Sequence, residues 1–333
     1  MYFREDIMKS TIWGIIGPGK IANKFAAALK LVEGARLGAV ASRDMGKAQT
    51  FAATHGAARV YDSYEALAAD PDIDVVYIAT PHGFHAEHAI LCLRQGKAVL
   101  CEKPLALNAR EVEEMIAAAQ EHRAFLMEAM WTRFLPLMRE VMALVGSGQI
   151  GMVKYIRADF GFLANFDPAG RLFNMRLGGG SLLDIGIYPL YLCLQLLGEP
   201  EHIVAAGRLS PTGSDAVCHA LLQFPGGASA VVSSNLDCNT SLTAEIAGTE
   251  GMIRIPSPWY KNDRFEWNRT GSDAQTVELE MMVNGFEYQI REVMSCLDRG
   301  LIESPSLPHS FSLMMSRTMD NIRGQVGVKY AGE

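Results

Sequence analysis

The chain has 333 residues, room for two domains at roughly 150 residues each and for a core that needs no metal or disulfide staple. Hydrophobic residues make up 49% and charged residues 20%, a balance that excludes an intrinsically disordered chain. Thirty basic against 37 acidic side chains leave a formal charge of −7, and without any basic run that argues against a nucleic-acid partner.

In chain order, residues 1–10 carry Arg4, Glu5 and Asp6 and no apolar stretch. They read as a short extension rather than a signal peptide, with Met8 an alternative start. Thr11–Ile16 then predicts a strand, Lys20–Leu31 a helix, Arg36–Ala41 a strand and Lys47–His55 a helix. Arg59–Tyr61 follows as a strand, Tyr64–Ala69 as a helix, Asp74–Ala79 as a buried strand and His85–Gln95 as a helix. Ala98–Cys101, a helix over 108–122 capped by Asn108, and Phe125–Glu128 close the series. Such alternation with short connections predicts an α/β Rossmann domain, a doubly wound parallel sheet, over residues 11–128.

Past residue 128 the rhythm changes. Strands are expected at Val153–Gly161, Ile203–Gly207, Ala216–Phe224, Ala228–Leu236, Leu242–Ala247 and Met252–Ile255, and helices at Leu137–Gly146, Ser181–Leu197, Glu287–Gly300 and Ser310–Gln325. Residues 129–333 therefore read as an α+β domain with a large, mostly antiparallel sheet, helices on one face and the other face open. An open face of that size invites a homodimer. The longest apolar stretch, Ser181–Gly198, is interrupted by Asp184 and Pro189 and is not read as a membrane span. Six scattered cysteines without a CxxC pair are those of a cytoplasmic protein with reduced thiols.

Gly17-Pro18-Gly19-Lys20-Ile21-Ala22 follows the first strand and opens the first helix. A G-x-G-x-x-A turn in that context cradles a pyrophosphate on a helix N-terminus. At the end of the second strand an acidic residue would indicate NAD; here Ser42 and Arg43, with Lys47 nearby, suit a 2′-phosphate. The competing reading makes Arg43 a solvated charge and gives the ribose to Asp44. NADP is the expected coenzyme, NAD the alternative.

Two further clusters carry chemistry. Cys101-Glu102-Lys103-Pro104 ends a parallel strand, where open α/β sheets bind their ligands. Thr80-Pro81-His82-Gly83-Phe84-His85 ends another and should wall the same cleft. His82, His85 and His88 fan across some 120° of a helix rather than one face, so no metal is expected. In Gly178–Tyr188, Ser181 is placed to cap a helix, and Asp184 and Tyr188 share a face at i, i+4. Asp184 in so apolar a helix calls for a nearby lysine partner.

These motifs resemble the Gfo/Idh/MocA oxidoreductase family, from about Thr11 to Tyr330. More narrowly, residues 128–134 (EAMWTRF), Gly178–Tyr188 and 300–305 (GLIESP) resemble its dimeric dihydrodiol dehydrogenase branch, which includes NADP-dependent D-xylose 1-dehydrogenases. The resemblance implies that Lys103 is catalytic, Asp184 its acidic partner and Tyr188 the acid/base. Many members of the family carry His at the Tyr188 position, a departure that points away from inositol-type activity. The coenzyme set it implies is Gly17, Gly19, Lys20, Ile21, Ser42, Arg43, Lys47, Thr80, Pro81, His82, His85, Glu102 and Lys103. Trp131, Arg133 and Phe134, with Asp184 and Tyr188, are expected to line the substrate pocket. The expected reaction is hydride transfer between NADP and a CH–OH group of an aldopyranose such as xylose or of a trans-dihydrodiol. Alternatives are reduction of a dicarbonyl or anhydro sugar, or a non-catalytic NADP-binding, sugar-responsive regulator. A regulator has no need of Lys103, Asp184 and Tyr188 together.

Overall fold

The structure, a computed structural model, describes residues 10–331; the N-terminal extension and Met8 lie outside the described residues. The first half alternates as expected: β1 (Thr11–Ile16), α1 (Lys20–Leu29), β2 (Ala35–Ala41), α2 (Met45–His55), β3 (Arg59–Tyr61), α3 (Tyr64–Ala68), β4 (Val75–Ile78), α4 (His85–Arg94), β5 (Ala98–Glu102), α5 (Ala109–Glu121) and β6 (Leu126–Ala129). All six strands pair in parallel in the order β3-β2-β1-β4-β5-β6. β4 is buried along its whole length, which is why it reads as a continuous apolar run rather than an alternating one. α1 buries Ala22, Phe25, Ala26 and Leu29, and Phe25 stacks on Tyr77 of β4 at 3.7 Å. Local signals set the helix ends: the Asp44 carboxylate accepts from the Lys47 N–H, the Asn108 side chain accepts from the Glu111 N–H, and Gly56 ends α2 at φ +81°.

The second half contains α6 (Pro136–Gly146), β7 (Val153–Gly161), α7 (Ile187–Leu197), β8 (His202–Leu209), β9 (Asp215–Gln223), β10 (Ser229–Asn235), β11 (Ala244–Gly248), β12 (Gly251–Ile255), β13 (Arg264–Arg269), β14 (Gln275–Glu278), α8 (Phe286–Asp298) and α9 (His309–Val326). Its sheet runs β14-β13-β12-β11-β7-β10-β9-β8, antiparallel except for the parallel pair β7·β10. β13 and β14 escaped the sequence pattern. β14 is a polar edge strand with no fully buried side chain, and β13 beside it fully buries only Phe265 among charged and polar neighbours, so neither makes a strong apolar run.

Three sequence expectations are corrected. The Ser181–Leu197 helix is not uniform: Leu182–Gly186 forms a π turn, and α7 begins only at Ile187. Ser181 makes no capping bond; its hydroxyl donates instead to the buried Asp215 carboxylate at 2.7 Å. The late helices do not all cover the sheet. α8 packs on α1, where the Asn284 side chain donates to the Lys24 carbonyl, and α9 ties β8 to α5, with Ala109 N–H donating to Asp320. The apolar segment Met175–Leu197 is long enough to cross a membrane by composition, yet 83% of its most apolar window is buried inside the protein. It is a core helix.

Candidate active site

The turn after β1 brings the chain to the C-terminal edge of the parallel sheet. Gly17 sits at φ +86°, with a would-be Cβ 2.9 Å from the Ala79 and Thr80 backbone, so only glycine fits there. Above Gly19 the nearest atom to a would-be Cβ is 4.0 Å away, leaving open space over the helix end. Among the described residues no side chain caps α1, so its first N–H groups are turned toward that space. An uncapped helix end behind two glycines fits a pyrophosphate, so Gly17, Gly19, Lys20 and Ile21 are suited to hold one.

Ser42, Arg43 and Lys47 border the next part of this edge. The Ser42 hydroxyl accepts from the Asp44 N–H at 3.1 Å, and Arg43 lies 5.7 Å over the Phe84 ring. Asp44 is committed to capping α2 and pairs with Lys47 at 3.7 Å. Thr80 contacts His88 through its hydroxyl at 3.0 Å, and Pro81 precedes the single turn His82–Phe84. His85, by contrast, is fully enclosed. Its ring nitrogens lie 2.8 Å from the Thr80 and Pro104 carbonyls, so it acts on the cleft by holding the two loops that line it. Glu102 accepts a short hydrogen bond from the Tyr77 hydroxyl.

The three chemical residues do meet. Lys103 Nζ donates to the Asp184 main-chain carbonyl at 2.5 Å, lies 3.5 Å from Asp184 Oδ1 and sits 4.9 Å over the Tyr188 ring. The same Oδ1 accepts from Arg171 at 2.8 Å and has His82 Nε2 at 3.9 Å. The Asp184 carboxylate is thus shared among cations, and Arg171 is its tightest partner. Tyr188 Oη accepts from Trp131 Nε1–H at 3.1 Å. Its ring packs against Phe160 and Tyr260, and Trp131 stacks on Phe286. Of the three residues expected beside the substrate, only Trp131 reaches Tyr188. Arg133 donates to the Ser306 carbonyl, and Phe134 is fully buried.

Electrostatics follow from this packing. Burial alone would raise the Asp184 carboxyl, but Lys103, Arg171 and His82 overturn that and hold it well below the usual carboxylate range. Burial would lower Lys103, yet the facing Tyr188, Asp184 and Glu102 leave it above its ordinary value. Tyr188 is raised by burial, against the opposing pull of Lys103 and the Trp131 hydrogen bond. Burial also takes His82 down to about 3, which keeps it neutral. Arg171, Phe160 and Tyr260 were missed by sequence reading. Arg171 lies between β7 and the π turn, where no periodicity marks it.

One buried carboxyl beneath the Lys103 loop gives a pH prediction. Glu128 accepts from the Leu105 N–H at 3.0 Å and from the Ser312 hydroxyl at 2.7 Å. Burial, partly offset by those bonds, pushes it from 4.5 up to about 7. A raised folded-state value means its stability contribution is full below the unfolded value and is lost as pH rises through the folded one. Glu128→Gln keeps the shape without the charge. Its Tm should exceed the parent's by several degrees near pH 8 and match it near pH 5. An equal difference at both pH values in thermal melts would refute this.

The parallel sheet with its phosphate loop, joined to a lysine–aspartate–tyrosine cluster at the sheet's C-terminal edge, defines a nicotinamide-dependent oxidoreductase. Residues 12–130 match the oxidoreductase family with an NAD-binding Rossmann fold, and residues 138–254 match the GFO/IDH/MocA C-terminal domain. The chain belongs to the Gfo/Idh/MocA family. It is 40% identical over 330 residues to a trans-1,2-dihydrobenzene-1,2-diol dehydrogenase of Xenopus tropicalis, covering 96% of this chain and 99% of that one. The Homo sapiens protein of that name is 36% identical over 327 residues, covering 96% and 97%. Among solved structures, an aldose-aldose oxidoreductase from Caulobacter crescentus superposes with a TM-score of 0.88 at 27% identity, over 96% and 98% of the two chains. A 3-ketoreductase from Actinomadura kijaniata, in complex with NADP and TDP-benzene, gives 0.86 at 27% over the same shares.

Proposed function

We propose that the protein oxidises a CH–OH group of an aldopyranose or a trans-dihydrodiol, with NADP as coenzyme and Tyr188 as the proton acceptor. The carrying observation is the convergence of Lys103, Asp184 and Tyr188 at the sheet edge. The similarity to dihydrodiol dehydrogenases and to a sugar oxidoreductase supports the substrate class. The nicotinamide, when bound, takes up the hydride. This chain's residues manage the proton. A tyrosine near its ordinary pKa of about 10 stays protonated at neutral pH, and burial makes Tyr188 hold its proton more tightly still. The Lys103 charge and the Trp131 N–H both favour its phenolate and so offset part of that burial. Asp184 holds the lysine through its main-chain oxygen, and the aromatic wall of Phe160, Tyr260 and Trp131 sheds water from the hydroxyl that reacts. A spectrophotometric screen for NADPH formation over aldoses and cyclic trans-diols, with NAD⁺ in parallel, tests the reading. No reduced coenzyme with any substrate overturns it.

NADP is favoured over NAD because Asp44 is engaged as a helix cap while Ser42, Arg43 and Lys47 remain on the rim. Arg43→Ala should cost NADP⁺ affinity on the order of 1.5–3 kcal/mol, as expected for a charge-assisted phosphate contact, and change NAD⁺ affinity much less. Equal losses for both coenzymes in fluorescence titrations would remove Arg43 from the 2′-phosphate. Six unpaired cysteines support a cytoplasmic location. The open sheet face supports a homodimer: Val204, Leu221 and Val231 lie side by side on β8, β9 and β10, all exposed. Sedimentation showing a single 36.4 kDa species at micromolar concentration would exclude it.

A further inference from the structure

The shortest contact of the Lys103 ammonium is a main-chain oxygen, not a carboxylate. Nζ lies 2.5 Å from the Asp184 carbonyl oxygen and 3.5 Å from Oδ1, while Arg171 holds that Oδ1 at 2.8 Å. A carbonyl within a helix ordinarily spends its hydrogen bond on an N–H further along the chain. Asp184 lies in the π turn Leu182–Gly186, where N–H groups reach back five residues rather than four. Carried to the Asp184 carbonyl, that register would take its donor from residue 189, and residue 189 is proline, which has no N–H. Pro189 is buried, sharing a tight crevice with Cys218 and Ala220 of β9 and Val232 and Ser234 of β10.

We propose that Pro189 is a positioning residue for Lys103: by withholding an N–H from the π turn, it keeps the Asp184 carbonyl oxygen open to the lysine ammonium. The inference rests on the reading of Lys103 as a residue of the reaction. The π turn and the proline then act together. The turn displaces the hydrogen-bond register by one residue, and the proline leaves the displaced register without its donor at the one carbonyl that faces Lys103. A proline in the first turn of a helix is tolerated for its own sake; a purely structural role therefore makes no demand on Lys103.

Pro189→Ala restores the N–H and discriminates the two. A structural role alone predicts a folded protein with an unaltered lysine. The proposal predicts that kcat on the best substrate falls about tenfold to a hundredfold, the scale of one charged hydrogen bond, with coenzyme Kd within about twofold. A readout independent of turnover is the pH midpoint for acylation of Lys103 in the coenzyme-free protein, followed by peptide mass spectrometry. Losing an acceptor disfavours the charged amine, so the midpoint should fall by about half a unit or more. The titratable and charged groups facing Lys103 are Glu102 beside it, Glu128 on β6, His82 before α4, Arg171 on its loop, and Asp184 and Tyr188 on the π turn and α7. The substitution alters none of them, so a shift reports the carbonyl. Pro189→Val also restores the N–H while filling the crevice, and it carries the test if the alanine variant fails to fold. An unmoved midpoint in either folded variant overturns the proposal. Absence of turnover by the parent protein would instead overturn the functional reading, while the acylation midpoint still decides the role of Pro189.

Discussion

Tyr188→Phe is expected to lower kcat by roughly 10²–10⁴ while leaving coenzyme affinity almost unchanged. The substitution removes one oxygen and keeps the ring, so the packing against Phe160 and Tyr260 survives. What disappears is the only atom of this residue able to exchange a proton with a substrate hydroxyl. The contacts of the phenol are with Trp131, Phe160, Tyr260 and Lys103, none of them in the phosphate loop, which is why coenzyme binding should hold. Stability should fall modestly, because Trp131 Nε1–H loses its acceptor, and a buried donor left unpaired costs about 1–3 kcal/mol. Steady-state kinetics with thermal melts separate the two effects. Near-parental turnover would return Tyr188 to a packing role.

Lys103→Met should be comparably damaging for a different reason. Methionine matches the length of the lysine stem and fills its channel, but it removes the charge that draws the buried phenol toward ionisation. Asp184 would keep Arg171 as its partner, so the carboxylate is not stranded and the fold should persist. The double variant Tyr188→Phe with Lys103→Met should lose little beyond either single change, because residues acting as one unit are non-additive. Multiplicative losses would show two independent roles. Near-parental turnover of Tyr188→Phe, alongside abolition by Lys103→Met, would make Lys103 the sole base.

The coenzyme half was legible almost residue by residue. β1, β3 and the cap at Asn108 depend on neighbours within a few positions in the chain, and such short-range determinants leave a pattern that can be read directly. The second half was less legible. Its strands β13 and β14 are polar, α8 answers to α1 in the first half, and α9 bridges β8 of the sheet to α5 of the first half. Ser181 looked like a cap because its residue type and spacing suit one, but a buried carboxylate 34 residues away competes for the same hydroxyl and wins.

At the site the division is sharper. The amino-acid order alone determined that a phosphate loop follows the first strand, that Lys103 ends a parallel strand, and that Asp184 and Tyr188 stand four residues apart in one apolar segment. Each is a local arrangement dictated by backbone preference and hydrophobic period. Only the tertiary structure decided how these groups are shared. Lys103 reaches Asp184 across 81 residues and Trp131 reaches Tyr188 across 57. Arg171 takes the Asp184 carboxylate from a loop without any repeating pattern, and the π turn that presents the Asp184 carbonyl to Lys103 appears only in the folded chain. Electrostatic partnership falls off with distance in space rather than in sequence, so no periodicity records it until the two halves have packed.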